Sequence, residues 1–423
     1  MRRLKATCSF VFMLSLLPVL FGAIPVGAMQ EPAGRQTLWG SVSRRLTSAV
    51  TTHDSVASNP AIPARDCPSW KVVSSPNVGV GANELLSVAA ADSRTIWATG
   101  YYTTHPGGSA LPLSMRWNGQ RWKTVPVPLP GRAAAGVLLG IAHIASSNQF
   151  WSVGYWKGTG TTFSTLIERW DGASWHVIPS PNGIMDSSLT SVTALSAHDA
   201  WAVGGSLDKH FAFHTLTEHW NGTRWQVVPS PGAGDLYGIT AFTDDTAWAV
   251  GDSYNGNLSA TALIERWDGT KWSIVVNANP PGATASDLYG IFGSTANTLW
   301  AVGDYQDVNS HVFTLAEQWN VNAWRVVATP NGSGDSASVL QGIVASGAKN
   351  AWAVGFDTNA GGNQATLIEQ WNGRGWNLVS SPNSSQPNNI LQAVAAIPES
   401  SHVVSVGLAI DDNMNSVTLS EMC

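Results

Sequence analysis

Charge is scarce in this chain: only 12% of its 423 residues are Asp, Glu, Lys or Arg, 22 basic against 28 acidic. No Lys/Arg cluster occurs beyond the first few residues, so a phosphate-neutralising surface is missing and nucleic acid is excluded as a partner. Cysteine is nearly absent, with three in all, and Tyr (7) and Phe (11) are both outnumbered by Trp (21). That inversion of the usual aromatic order means that Trp is being repeated. Catalytic signatures are also lacking: there is no Gly-x-Ser-x-Gly elbow, no P-loop, no Cys-x-x-Cys and no His-Glu-x-x-His. What is present is a 44% hydrophobic composition, enough for a large core, with 41 Gly and 22 Pro to punctuate it.

The N-terminus reads Met1-Arg2-Arg3-Leu4-Lys5, then runs apolar from about Cys8 to Val26, and ends Val26-Gly27-Ala28 before Met29. Basic, apolar and small-residue regions in that order predict a signal peptide over 1–28, cut after Ala28. Pro18 and Pro25 interrupt the apolar stretch and argue against a retained anchor, and no later segment is apolar enough to span a membrane. Cleavage removes Arg2, Arg3 and Lys5 and no acid, which takes the net charge from −6 to −9. The mature chain keeps Cys67 and Cys423, and a lone exported pair predicts a disulfide. Residues 29–66, rich in Ser, Thr, Ala and Pro without hydrophobic period, read as a flexible leader. The expected destination is extracellular or the cell surface.

From Cys67 to the end the chain repeats. Trp97, Trp151, Trp201, Trp248, Trp300 and Trp352 open Trp-Ala-Val-Gly-like strands; Trp117, Trp170, Trp220, Trp267, Trp319 and Trp371 close Thr-Leu-Ile-Glu-Arg-Trp-like strands. A third Trp follows five residues later, from Trp122 to Trp376, with its seventh copy displaced to Trp70. The Gly ending the first strand recurs from Gly100 to Gly407 every 47 to 54 residues, a period of propeller blades or a solenoid. Four strand signals per unit, called A to D from the axis outward, favour blades. Strands C and D are joined by Trp-Asn/Asp-Gly-x-x-Trp, whose Gly supplies the positive φ of a tight hairpin; Asn320-Val321-Asn322 departs from it.

The phase of the repeat predicts how the ring shuts. Trp70-Lys71-Val72-Val73-Ser74-Ser75-Pro76-Asn77 matches the strand D at Trp376–Asn383, whereas Thr418–Cys423 matches a strand C and stops there. Strands A to C from the C-terminus and D from the N-terminus would complete a seventh blade, leaving no open edge. Cys67 and Cys423 flank the hairpin turn this blade lacks, so a disulfide would replace it, contributing about 4 to 5 kcal/mol or more on the chain-entropy account. The expected fold is all-β, a seven-bladed propeller over 67–423. The repeat resembles the kelch/WD-type propellers, most closely exported bacterial ones carrying Trp-Ala-Val-Gly and Glu-Arg-Trp-Asp-Gly-x-x-Trp units, and is similar to propeller lectins in the hairpin motif. A fold does not settle a function.

The recurring acid Glu168, Glu218, Glu265, Glu317, Glu369 and Glu421, replaced by Met115 in the first unit, shares a face with Leu and Trp and is expected to accept hydrogen bonds between blades. Asp208, His210 and His214 read as loop and edge residues rather than ligands, and neither a metal nor a cofactor is assigned. B-to-C and D-to-A links vary while the opposite turns repeat, so function is expected on the variable face. Its candidate ligand contacts are Tyr102, Trp156, Tyr254, Tyr305 and Phe356, each shortly after the Gly that ends strand B, with no catalytic residue assigned. Rings beside amides and carboxylates suit carbohydrate. The reading is a secreted, monomeric, non-catalytic module for an extracellular glycan or protein; the alternative is a polysaccharide-directed hydrolase or lyase with one asymmetric acidic site.

Overall fold

A computed structural model describes residues 67, 69–183, 185–255, 259–332, 337–347 and 349–423; the stretches expected to be a signal peptide (1–28) and a leader (29–66) lie outside the described residues. Those residues form 28 strands and no helix, hence none long and apolar enough to cross a membrane. The strands make seven four-stranded antiparallel sheets, those of blades 5 and 6 joined by one parallel bridge, Val312↔Ala337. Blade 1 comprises Asn83–Asp92, Thr95–Thr103, Ala110–Trp117 and Trp122–Thr124, and blade 4 comprises Gly234–Thr243, Thr246–Asn255, Ser259–Trp267 and Trp272–Ile274. Blade 7 combines Asn388–Ala396, Val403–Ile410 and Ser416–Met422 with the N-terminal Lys71–Val72, paired as Lys71↔Met422 and Val72↔Glu421. Each strand A packs against the next around a closed ring, the seventh against the first. The seam-bridging disulfide is present: Cys67 and Cys423, 356 residues apart, are joined with Cα atoms 5.6 Å apart.

The repeated Trp residues are seam residues. The strand-B Trp of one blade inserts between the C and D Trp of the next: Trp97 lies 4.6 and 5.2 Å from Trp170 and Trp175, and Trp300 lies 4.8 and 5.1 Å from Trp371 and Trp376. At the closure Trp352 meets Trp70 at 5.6 Å, so the displaced Trp restores the pattern. Alternation along strand B sends Trp201 and Val203 toward blade 4 while Ala200 and Ala202 receive Trp151 and Val153 of blade 2. A bulky face thus meets a small one at each joint.

A polar latch explains the Ser/Thr-Pro-Asn that follows the D strands of blades 2, 5, 6 and 7. In blade 2 the Thr165 backbone N–H donates to Asn182 Oδ1 (2.8 Å), the Thr165 and Ser180 hydroxyls lie 2.8 Å apart, and Ser180 donates to Glu218 of blade 3 (3.0 Å). In blade 7 the N-terminal segment rebuilds it: the Thr418 N–H donates to Asn77 Oδ1 (2.9 Å) and Ser75 pairs with Thr418 (2.8 Å). Blade 1 departs, with Pro112, Val127 and Leu129 in the Thr, Ser and Asn places; these line an apolar groove with Tyr102. The C–D hairpins turn on Gly at φ 88 to 106°, except that Val321 adopts φ 79° in blade 5. A β-branched residue there is strained.

Candidate functional site at the mouth of blades 4 and 5

In all seven blades strand A bulges after its Leu, at Leu86, Leu139, Thr190, Tyr237, Tyr289, Gln341 and Gln392. A bulge re-aims its side chain, and the bulged residues of neighbouring blades meet: Leu86 and Leu139 share an apolar cluster, and the Tyr237 and Tyr289 rings are 5.7 Å apart. Two residues before each bulge lies the position paired with the residue after the strand-B Gly. Here symmetry breaks. Blades 2, 3, 6 and 7 pair Val137 with Tyr155, Ser188 with Gly205, Val339 with Phe356 and Ile390 with Leu408. Blades 4 and 5 pair acid with acid, Asp235 with Asp252 and Asp287 with Asp304.

Asp252 and Asp304 are buried, each about 1% exposed, while Asp235 and Asp287 are half-buried toward the loop face. Asp252 is fixed by two phenols: Tyr254 donates to Oδ2 at 2.8 Å and Tyr237 to Oδ1 at 3.3 Å. Burial pushes the Tyr237 phenol well above its usual value, and the charges of Asp252, Tyr254, Asp235 and Asp287 push it further, so it stays a donor. Asp235 reaches across to blade 3, where its carboxylate occupies the space above Gly205; a Cβ there would stand 1.6 Å from Oδ1. Any larger residue at 205 would displace the acid. The arrangement is a sector of fixed hydrogen-bond acceptors backed by tyrosines, opening onto the face of the variable loops.

The five residues expected to bind ligand do not form one platform. Tyr102, Trp156 and Tyr305 stand two places after the strand-B Gly, Tyr254 three and Phe356 one, and alternation sends even and odd places to opposite blade faces. Tyr102 lines the blade 1 groove, Trp156 is half-buried opposite Gly136 and Ser164, and Tyr305 stacks on Phe313 at 5.3 Å. Tyr254 and Phe356 belong to the acidic sector, Tyr254 through Asp252 and Phe356 by packing on the Tyr237–Tyr289 cluster. Asp235, Asp287, Tyr237 and Tyr289 were missed by reading loops alone. Their signal was the pentapeptide Asp-Leu-Tyr-Gly-Ile, present at 235–239 and again at 287–291.

The histidines of blade 3 lie beside aspartates. His214 Nε2 is 3.4 Å from Asp208 Oδ2, the His210 backbone N–H donates to Asp208 Oδ1 (2.7 Å), and His219 contacts Asp199 at 2.8 Å while lying on Trp201. Asp208 thus closes its own turn, as Asp307 and Asp411 do in blades 5 and 7. Among the described residues no group of three or more His, Cys, Asp or Glu is arranged to hold a metal.

No family model matches the chain, and no curated protein is similar to it in sequence. Among solved structures it is similar to an ulvan lyase of a polysaccharide lyase family, at 11% identity over 81% of this chain and 94% of that one, with a TM-score of 0.50. It is also similar to a protein described as YCF48 bound to a D1 peptide (16% identity, 85% and 97% covered, TM-score 0.47). A protein of unknown function from Dyadobacter fermentans gives 11%, 85% and 99%, and 0.46. At such identities the likeness reaches the fold and not the site: this chain is a seven-bladed β-propeller.

Proposed function

We propose that the protein is an exported, non-catalytic binding module that takes a neutral or amino-bearing glycan at the mouth of blades 4 and 5. The reading rests on one observation: two adjacent blades place carboxylates on both strand A and strand B where the other blades use Val, Ser, Gly, Ile, Leu or aromatic residues, apart from Glu84 in blade 1. Blade construction therefore does not require these acids. Acceptors fixed by tyrosine hydroxyls favour a ligand rich in donors, which sugar hydroxyls and amines supply. The same charge, on a mature chain of net −9, repels uronate or sulfate polymers. Tyr254, half-buried, with Phe213 packed 4.8 Å from its ring, offers its remaining face to a sugar. Signal cleavage after Ala28, the 29–66 leader as a tether, monomeric action outside the cell and kinship with kelch/WD-like exported propellers complete the proposal.

Acid-with-acid pairs confined to two blades also support a second reading, a polysaccharide-directed hydrolase or lyase. One experiment separates the two. Retention of the mature protein on chitosan, dextran and polygalacturonate is measured beside Asp235→Asn/Asp287→Asn, with release of soluble sugar followed in parallel. Retention on chitosan or dextran that falls at least about tenfold in the variant, without sugar release, supports binding. Release that the variant abolishes supports the enzyme. Equal retention of both proteins refutes the site.

A further inference from the structure

The strand-C glutamates are fully buried in the seams between blades, and four of them receive donors from outside their own strand. Ser180 donates to Glu218, Ser230 and Thr215 to Glu265, the Ala278 backbone N–H to Glu317 at 2.9 Å, and Ser381 to Glu421 at 3.2 Å. Glu168 and Glu369 have no donor on either oxygen. Each exception has a visible cause. In blade 1 Val127 stands where Ser180 stands in blade 2, and in blade 5 the Thr329 hydroxyl turns back to Thr314 (2.6 Å to the hydroxyl, 3.2 Å to the carbonyl).

We propose that the seams between blades 1 and 2 and between blades 5 and 6 are proton-dependent catches, closed while Glu168 and Glu369 are neutral and loosened as they ionise. A neutral carboxyl in an apolar seam leaves unsatisfied polar atoms; a carboxylate there leaves an uncompensated charge, which is far more costly. Donors at the other four glutamates stabilise the ionised form and weaken the same response.

The groups around each acid do not offset that charge. Glu168 is paired with Ser152, whose hydroxyl is already given to the Gly140 carbonyl (2.7 Å), and with Val177 on strand D. Blade 1 packs Val125 and Val127 on this seam, and the nearby guanidiniums are engaged elsewhere, Arg116 over the Trp97 ring and Arg169 over Trp151 and on Gln149 (2.8 Å). Glu369 is paired with Ala353 and Leu378; blade 5 packs Ala316 and Val327 on the seam, its Arg325 is bonded to Gln318, and Asp357 of blade 6 takes the Ser338 hydroxyl. Burial lifts both glutamates to about 8 with nothing opposing it; burial lifts Glu218 and Glu421 as far, but there a serine hydroxyl, Ser180 or Ser381, pulls the other way. Blade 5, one side of the second catch, also carries Asp287 and Asp304.

Hydrogen exchange of the mature, disulfide-bonded protein from pH 5 to 9, expressed as protection factors, reads this out seam by seam. Strands flanking the two seams should lose protection by up to about tenfold per pH unit over the titration, one proton per catch, while the other five seams lose less. Glu168→Gln should remove the loss at its own seam and leave the other, and Glu369→Gln the converse. Val127→Ser, which supplies the donor found at Ser180, should blunt the loss at the first seam and keeps the test open should a Gln variant misfold. Equal loss at all seven seams, or loss unchanged by both Glu168→Gln and Val127→Ser, overturns the proposal.

Discussion

Replacing Cys67 by Ser tests the closure directly, because the disulfide spans nearly the whole ring. With 356 residues between its ends, the chain-entropy relation gives about 20 cal/mol/K of lost loop entropy in the unfolded chain, or about 6 kcal/mol at 25 °C. Unfolding entropy near the midpoint is about 2.1 cal/mol/K per residue, so a ring of this size carries about 0.75 kcal/mol/K, and the melting temperature should drop by about 8 °C. The folded ring should persist. Blade 7 keeps the ladder pairs Lys71↔Met422 and Val72↔Glu421, the Val73 N–H to Ser420 carbonyl bond (2.8 Å), the Asn77 cap on Thr418 and the Trp70–Trp352 contact. Calorimetry with far-UV circular dichroism, run on wild type, Cys67→Ser and the Cys67→Ser/Cys423→Ser double variant, is the assay. Both variants should melt alike, below wild type, with unchanged strand signal. A midpoint equal to wild type would mean that the unfolded chain gains nothing from release of the clasp, and the reasoning fails.

Stability should also fall with rising pH. Burial lifts Glu168, Glu218, Glu369 and Glu421 to about 8 and Glu317 to about 7, from an ordinary 4.5. The folded ring then binds protons more tightly than the unfolded chain between those values, so the contribution is complete below pH 4.5 and is lost as pH climbs through 8; a melting point higher at pH 8.5 than at pH 5 would contradict this. Val321→Gly should stabilise by about 1 kcal/mol in denaturant titration by relieving the left-handed Val of the blade 5 hairpin. Trp97→Ala should cost about 3 to 5 kcal/mol, because it empties the space between Trp170 and Trp175; a loss under 1 kcal/mol would dissociate the Trp repeat from seam packing. Gly205→Ala should weaken glycan retention while leaving the fold intact, since the new Cβ displaces the Asp235 carboxylate; undiminished retention would place the ligand elsewhere.

How much of this was legible beforehand depends on the range of the interaction. Blade number, strand order and the closing strand were readable because each unit repeats the same local chemistry: Trp-Ala-Val-Gly supplies one bulky and one small face, and Asn/Asp-Gly forces the hairpin. The Cys67–Cys423 bond was readable because the phase of the repeat leaves one turn uncovered. The inter-blade role of the glutamates was readable from parity on strand C. Their inequality was not, because whether Glu369 meets a donor depends on which way the Thr329 hydroxyl turns in the neighbouring blade.

The candidate site lay further from reach. Sequence alone pointed to the variable loops and left five aromatics as equivalent candidates. The ladder register set Asp235 against Asp252, the strand-A bulge turned Tyr237 onto that acid, and the missing side chain at Gly205 let Asp235 cross to blade 3. Those contacts join strands that the sequence separates by a hairpin or a whole blade, and strand alternation splits Tyr102, Trp156 and Tyr305 from Tyr254 and Phe356. Local patterning determined the ring; only closure of the ring, which brings the same position of neighbouring blades together, decided where its asymmetry becomes a site.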